Sequence, residues 1–197
     1  MIAYLNGKLT LKTPTYIYID VNGIGYHANI SLNTFSEIEA LDTAKIYTYL
    51  MIREDSHTLY GFFTEDERNL FTLLISVSGI GGNTGRVILS YLSPSEVNSA
   101  ILSENVAAFN KVKGVGPKTA KRIILDLKDK IAKISDDSKV EIVSNASLNV
   151  KAEALSALQS LGFHKTIIEK KLDHVMKSTE SALTVEDVIK EVLRQLS

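Results

Sequence analysis

Two stretches of the chain repeat one another at a shift of 35 residues: VSGIGGNTGRVILSYL from Val77 and VKGVGPKTAKRIILDL from Val112. Their common core is hydrophobe-x-Gly-hydrophobe-Gly-x-x-Thr, followed by branched aliphatics. This pattern suits two helices joined by a tight hairpin. Gly79 and Gly81, or Gly114 and Gly116, allow positive φ and close approach, while Ile80 or Val115 plugs the core. The hairpin then presents backbone N–H groups at a helix start, where the positive end of the helix dipole adds to them. The chemistry on offer is anion binding. Gly82, Asn83 and Thr84 begin the helix of the first hairpin, as Lys118 and Thr119 do in the second; Arg86, Lys121 and Arg122 follow within a turn. DNA phosphate is the expected ligand, held without any reading of bases. A single glycine hairpin is usually only a turn; duplication beside a cationic helix is the specific signal.

Other chemistry is thinly represented. A Walker A loop fails because Pro117 precedes Lys118-Thr119 where a glycine belongs, and no strand leads into it, so ATP is not an expected ligand. Neither glycine pair follows a strand inside a βαβ unit, which excludes a dinucleotide fingerprint. His27, His57, His164 and His174 lack metal-ligand spacing and read as surface or packing residues. No catalytic residue, metal or cofactor is expected. Glu54-Asp55, in the turn IREDSH, leaves three readings open: a metal or general-base pair, solvated turn residues, or an acidic tip that repels phosphate and holds two strands apart.

The 197 residues carry 22 Lys plus Arg against 23 Asp plus Glu, a net charge of −1, with no cysteine or tryptophan. Zero cysteine excludes disulfides, thiolate zinc and iron–sulfur sites and cysteine nucleophiles. The charge is uneven. Residues 111–133 hold seven Lys and Arg122 against Asp126 and Asp129, a local balance of +6 that leaves −7 for the rest. Local field, not the sum, is what attracts phosphate. MIAYLNGKLTLK has no basic start followed by an apolar run, and no apolar stretch approaches the ~18 residues of a membrane span. A cytoplasmic protein without a membrane association is expected.

Stepwise along the chain, residues 1–63 read as about five short strands: YIYI at 16–19, alternation at Val21, Tyr26, Ala28 and Ile30, KIYTYLMI at 45–52 and TLYGFF at 58–63. Asn6-Gly7 and Asn22-Gly23 supply tight turns, and a short helix fits 34–41. Count and size suggest a five-stranded barrel of the oligonucleotide-binding (OB) type. At Thr64 the pattern changes. Thr64-Glu65-Asp66-Glu67 and Ser93-Pro94-Ser95-Glu96 read as capping boxes, and Ser103 as a further cap, so 64–134 is expected to be helical and to hold the DNA-binding hairpins. Residues 135–149 read as a flexible linker. In 150–197, Leu155, Leu158 and Leu161 precede Gly162, then come Ile167, Ile168, Leu172 and Val175, and a third helix opens at Thr184: a three-helix bundle near the lower size limit for folding alone.

The opening MIAYLNGKL, the segment REDSHTLYGF, the paired hairpins and LQSLGF together resemble the RuvA family, Holliday-junction-binding subunits of bacterial branch migration complexes, over the whole chain. The resemblance implies an OB barrel, a tandem helix-hairpin-helix domain, a linker and a three-helix bundle similar to ubiquitin-associated domains. It implies a homotetramer, one or two of which hold a four-way junction open and square. Each subunit grips phosphates with two hairpins, and Glu54 and Asp55 match the family's acidic pin at the strand crossover. The bundle, with Leu158, Leu161 and Phe163 near its LGF turn, is implied to dock the RuvB ATPase motor, and RuvC to resolve the junction. One departure stands out. After Gly81 the first hairpin has Gly82-Asn83 where many relatives carry Pro-Lys, so its grip falls to backbone N–H groups and Arg86.

Two other classes compete. Helix-hairpin-helix DNA glycosylases, or lyase-like repair enzymes, use a similar Gly-Val-Gly-Pro-Lys-Thr-Ala hairpin followed some 20 residues later by a catalytic aspartate, and Asp136 and Asp137 stand about there. They lie in a polar stretch with no apolar pocket to receive a flipped base. A protein-interaction adaptor, with the cationic helix merely solvated, is the other class.

Overall fold

Strands β1 (Tyr4–Lys12), β2 (Tyr16–Val21), β3 (Ile24–Ile30), β4 (Thr43–Ile52) and β5 (His57–Phe62) close a barrel in the order β1-β2-β3-β5-β4. The computed structural model describes residues 1–139, 146–163, 165–178 and 184–196. All neighbouring strands are antiparallel except β3 and β5, which run parallel through Asn29↔Tyr60 and Ile30↔Gly61. This is the expected OB-type barrel. Its interior follows from period-two alternation: Ile17 and Ile19 on β2, Ala28 and Ile30 on β3, and Ala44 and Ile46 on β4 all point inward. Helix α1 (Leu32–Ile38) spans β3 to β4 and buries Ile38 in the same core.

The turn signals divide. Asn22 and Gly23 have φ of 53° and 87° and join β2 to β3, as an Asn-Gly hairpin requires. Asn6-Gly7 is no turn; it lies inside β1. Gly7 is there because the neighbouring strand comes too close: a Cβ would stand 2.0 Å from the Asp20 carbonyl oxygen.

Helices α2 (Glu65–Ile75), α3 (Gly82–Tyr91), α4 (Pro94–Leu102), α5 (Val106–Asn110) and α6 (Pro117–Lys139) follow. The Ser93–Glu96 capping box is complete. The one expected at Thr64 is only half made: Thr64 accepts from the Glu67 N–H, but the Glu67 carboxylate turns to Ser31 and Thr34 instead. Ser103 ends α4 rather than starting α5; Asn105 caps α5 by accepting from Ala108 N–H at 3.2 Å.

Barrel and helices form one unit, Met1–Asp137. Tyr60 and Phe62 of β5 face away from the barrel interior, each with its ring centroid 4.9 Å from that of Phe71 on α2. The change of character at Thr64 is therefore not a break in packing. The stretch read as a linker is helical at both ends, since α6 reaches Lys139 and α7 (Ala146–Ser160) begins at Ala146. No glycine or proline lies between Pro117 and Lys139 to stop propagation. Residues 140–145 of that stretch lie outside the described residues.

In the second unit, Ser138–Ser197, α7 packs with α8 (Lys165–Ser178) and α9 (Val185–Leu196). Their core is Ala154, Leu158, Ile168, Leu172, Val175, Val188 and Val192. Thr184 opens α9 as expected, its hydroxyl accepting from Asp187 N–H at 3.2 Å and donating to the Asp187 carboxylate at 2.6 Å.

Candidate nucleic-acid interface

The two hairpins have the same backbone. Ile80 N–H donates to Val77 O and Val115 N–H to Val112 O, both at 3.0 Å; Gly85 N–H donates to Gly81 O and Ala120 N–H to Gly116 O, both at 2.9 Å. Gly79 and Gly114 take φ of +94° and +89°, a region closed to most side chains. Ile80 and Val115 are each 5% exposed and enter the shared helical core beside Val77 and Val112. The plug predicted from the repeat is in place twice. Gly81, expected to use positive φ, instead has φ −90° and serves as the cap of α3 with no side-chain bond to the helix. The first N–H groups of α3 thus lack a side-chain cap, as an anion site needs.

Charge is arranged differently at the two sites. On α6, Ala120, Ile123, Ile124, Leu127 and Ile131 are buried at helical spacing, which leaves Lys118, Lys121 and Arg122 exposed on the opposite side. Among the described residues Lys118 and Lys121 have no ion pair, and Arg122 meets Asp126 only at 4.0 Å with both side chains largely solvated, which is worth little. Lys128 pairs with Glu104 and adds less free charge. In the first hairpin Asn83 is exposed and Thr84, like Thr119, half-buried. Arg86 does not face outward. Its Nη1 donates to the carbonyls of Thr15 at 2.7 Å and Ile30 at 3.3 Å, and its Nη2 to Asn83 Oδ1 at 2.9 Å, which ties α3 to the barrel.

Glu54 and Asp55 occupy the tip between β4 and β5, closed by Arg53 N–H donating to Ser56 O at 2.8 Å, and both are exposed. Ser56 Oγ donates to Asp55 at 3.2 Å. Arg53 is a residue that motif spacing does not single out. Its Nη2 lies 3.7 Å from the position a Cβ on Gly81 would take, a proximity no sequence pattern shows. Tyr60 is another: its hydroxyl oxygen lies 2.5 Å from where a Cβ on Gly82 would stand, so the barrel itself dictates that glycine. Burial raises the Tyr60 phenol above its usual range, and the positive charges of Arg86 and Arg53 draw it partly back.

In the bundle, the three residues expected to dock a motor separate. Leu158 is fully buried and belongs to the core, its helical spacing with Ala154 fixing it inward, whereas Leu161 is 59% and Phe163 36% exposed on either side of Gly162, whose φ is +92°. Ile167, at the start of α8, is 49% exposed as well. His164 lies outside the described residues. His27 packs edge-on against Tyr16 and Tyr18, with ring centroids 5.0 and 5.5 Å away.

An OB-type barrel that carries a tandem pair of helix-hairpin-helix motifs defines a class of DNA-binding protein. Comparison with known proteins narrows it. Family models match in order the RuvA N-terminal domain over residues 1–61, a SAM-like helix-hairpin-helix tandem over 71–129 and the RuvA C-terminal domain over 149–197. The chain is 50% identical over 196 residues to a protein of Christiangramia forsetii, with all of both chains covered. It is 47% identical to one of Cytophaga hutchinsonii, covering 98% of this chain and 99% of the other, and 47% identical to one of Flavobacterium psychrophilum, covering both completely. Each of those relatives bears the name Holliday junction branch migration complex subunit RuvA. The chain belongs to the RuvA family.

Proposed function

We propose that this protein binds four-way junction DNA as a homotetramer, keeps it open and square, and recruits and stimulates a RuvB ATPase for branch migration. The observation that carries the DNA reading is the duplicated hairpin: two identical turns, each with a plugged core and an open helix start, one beside exposed Lys118, Lys121 and Arg122. A cytoplasmic setting, one or two tetramers on the junction and RuvC as resolvase belong to the same reading. Among the described residues no helix is long and apolar enough to cross a membrane. The subunit itself is a non-catalytic part of the motor complex. A repair glycosylase is not favoured, because the family match spans the chain and Asp136 and Asp137 continue α6. For motor docking, the exposed Leu161 and Phe163 support the LGF turn as the contact, without Leu158.

The test is a gel shift of four-way junction against linear duplex of equal length at two salt concentrations. Wild type should prefer the junction. Lys118→Ala with Arg122→Ala should weaken binding and lower the slope of log affinity against log salt by ~0.9 for each phosphate no longer neutralised. An unchanged slope would remove the second hairpin from the interface.

A further inference from the structure

The two hairpins provide an internal comparison. The 35-residue shift sets Asn83 against Lys118, Arg86 against Lys121 and Val87 against Arg122. Of three cations at the second hairpin the first retains one, and that one is spent on the carbonyls of Thr15 and Ile30. Yet the backbone at the two sites is the same, with the same glycine at positive φ and the same buried plug. If both turns hold phosphate, the first must take its charge from outside the repeat.

Arg53 stands there. It directly follows Ile52, the last residue of β4, is exposed, and forms no side-chain hydrogen bond or ion pair with the described residues, although Glu54 and Asp55 come next in the chain. Its Nη2 sits 3.7 Å from the Cβ position of Gly81, the capping residue of α3, whereas the equivalent space at Gly116 is empty to 4 Å. The barrel presses on this hairpin, whereas a Cβ at Gly114 or Gly116 of the other meets nothing within 4 Å. Tyr60 fills the room beside Gly82, where the second hairpin has Pro117, and Arg53 lies against Gly81.

We propose that Arg53 supplies the phosphate-binding charge of the first hairpin, so that this site is shared between barrel and helices while the second is built from α6 alone. The ligand class is a backbone phosphate of DNA, and the inference rests on the junction-binding reading above. The placement has a consequence for strand path. A cation that draws phosphate to Gly81 is followed at once by two carboxylates that repel it, so the strand held at the first hairpin turns away at Arg53 instead of continuing across the tip.

The experiment measures junction affinity over a salt series for the full chain and for Arg53→Ala, Arg53→Lys, Asn83→Lys and the double variant Arg53→Ala with Asn83→Lys, beside Lys118→Ala. Arg53→Ala should lower the salt slope by ~0.9 for each phosphate no longer neutralised, Arg53→Lys should retain most of it, and placing lysine at position 83 should restore it in the double variant. That rescue separates phosphate binding from mere support of the acidic tip, which a charge on α3 cannot replace. Thermal melting of each variant checks folding, and Arg53→Gln, which keeps much of the side-chain bulk, replaces the alanine if it unfolds. A full slope in Arg53→Ala and Arg53→Gln, with a reduced one in Lys118→Ala, overturns this assignment and leaves the DNA reading intact. An unchanged slope in all of them overturns both.

Discussion

Glycine serves two different ends at the hairpins. Gly79 and Gly114 sit at φ near +90°, where replacement by alanine strains the backbone by ~1–2 kcal/mol. Gly116 has no positive φ, and a Cβ there meets nothing within 4 Å. Folding does not require that glycine; in the proposed DNA reading an approaching phosphate would, because a methyl would stand in front of the open N–H groups of α6. Gly116→Ala should therefore keep its urea midpoint while binding junction DNA about tenfold more weakly, a loss of ~1.4 kcal/mol. Gly114→Ala should lose stability as well as affinity. If Gly116→Ala binds as wild type does, phosphate does not approach that helix start. The repeat made all four hairpin glycines visible in the sequence, but not which need was met at each. That depends on what stands opposite, and for Gly82 the obstacle is Tyr60, 22 residues earlier in the chain.

At the scale of elements, the seam between barrel and helices is where reading the sequence fell short. TLYGFF reads as one more barrel strand, and β5 is one. What the sequence does not show is that β5 is covered on both faces, Leu59 inside the barrel and Tyr60 and Phe62 among the helices, because a strand buried on both sides loses the alternation that marks a solvent face. Glu67 is the polar counterpart at this seam. It is 3% exposed and accepts from Ser31 Oγ at 2.5 Å and Thr34 Oγ1 at 2.6 Å, while Thr34 Oγ1 accepts from Phe63 N–H at 3.1 Å. A carboxylate at N3 was legible as half of a capping box; its use as a buried tie between α1 and α2 was not. Burial raises its pKa above the ordinary 4.5, against the hydroxyl bonds that favour the charged form. Since the folded state then holds the proton more tightly than the unfolded one, this contribution is full below that ordinary value. It is lost as pH rises through the folded pKa. Glu67→Gln should remove that part of the pH dependence from urea unfolding of the barrel–helix unit measured between about pH 4 and pH 8. An identical profile in the variant would mean that Glu67 does not titrate across this seam. Glu67→Ala should cost ~1–3 kcal/mol near neutral pH, because it leaves two buried hydroxyls without acceptors.

For the whole molecule, the order of barrel, hairpin pair and bundle was readable because turn and cap signals are local, whereas assembly is not encoded in any one segment. The acidic tip shows the difference. Within one chain Glu54 and Asp55 are two solvated carboxylates at the end of a β-hairpin, and nothing in their own surroundings distinguishes them from ordinary turn residues. In the proposed fourfold assembly the same tip would recur four times around one axis, close to the point where DNA strands cross. Charges so gathered oppose phosphate and lower plain affinity, so they are useful only in selecting a DNA shape: they disfavour a continuous duplex crossing the surface more than an opened junction whose strands turn away. Neutralising both, as Glu54→Gln with Asp55→Asn, should then tighten binding to linear duplex and narrow the preference for four-way DNA, while leaving Arg53 and the hairpins to hold phosphate as before. Both affinities are to be measured at matched salt, because the comparison has no meaning otherwise. A double variant that keeps the wild-type duplex affinity and the wild-type preference would return the pair to the rank of solvated turn residues, and the strand separation assigned to them would have to come from the path set by the hairpins alone.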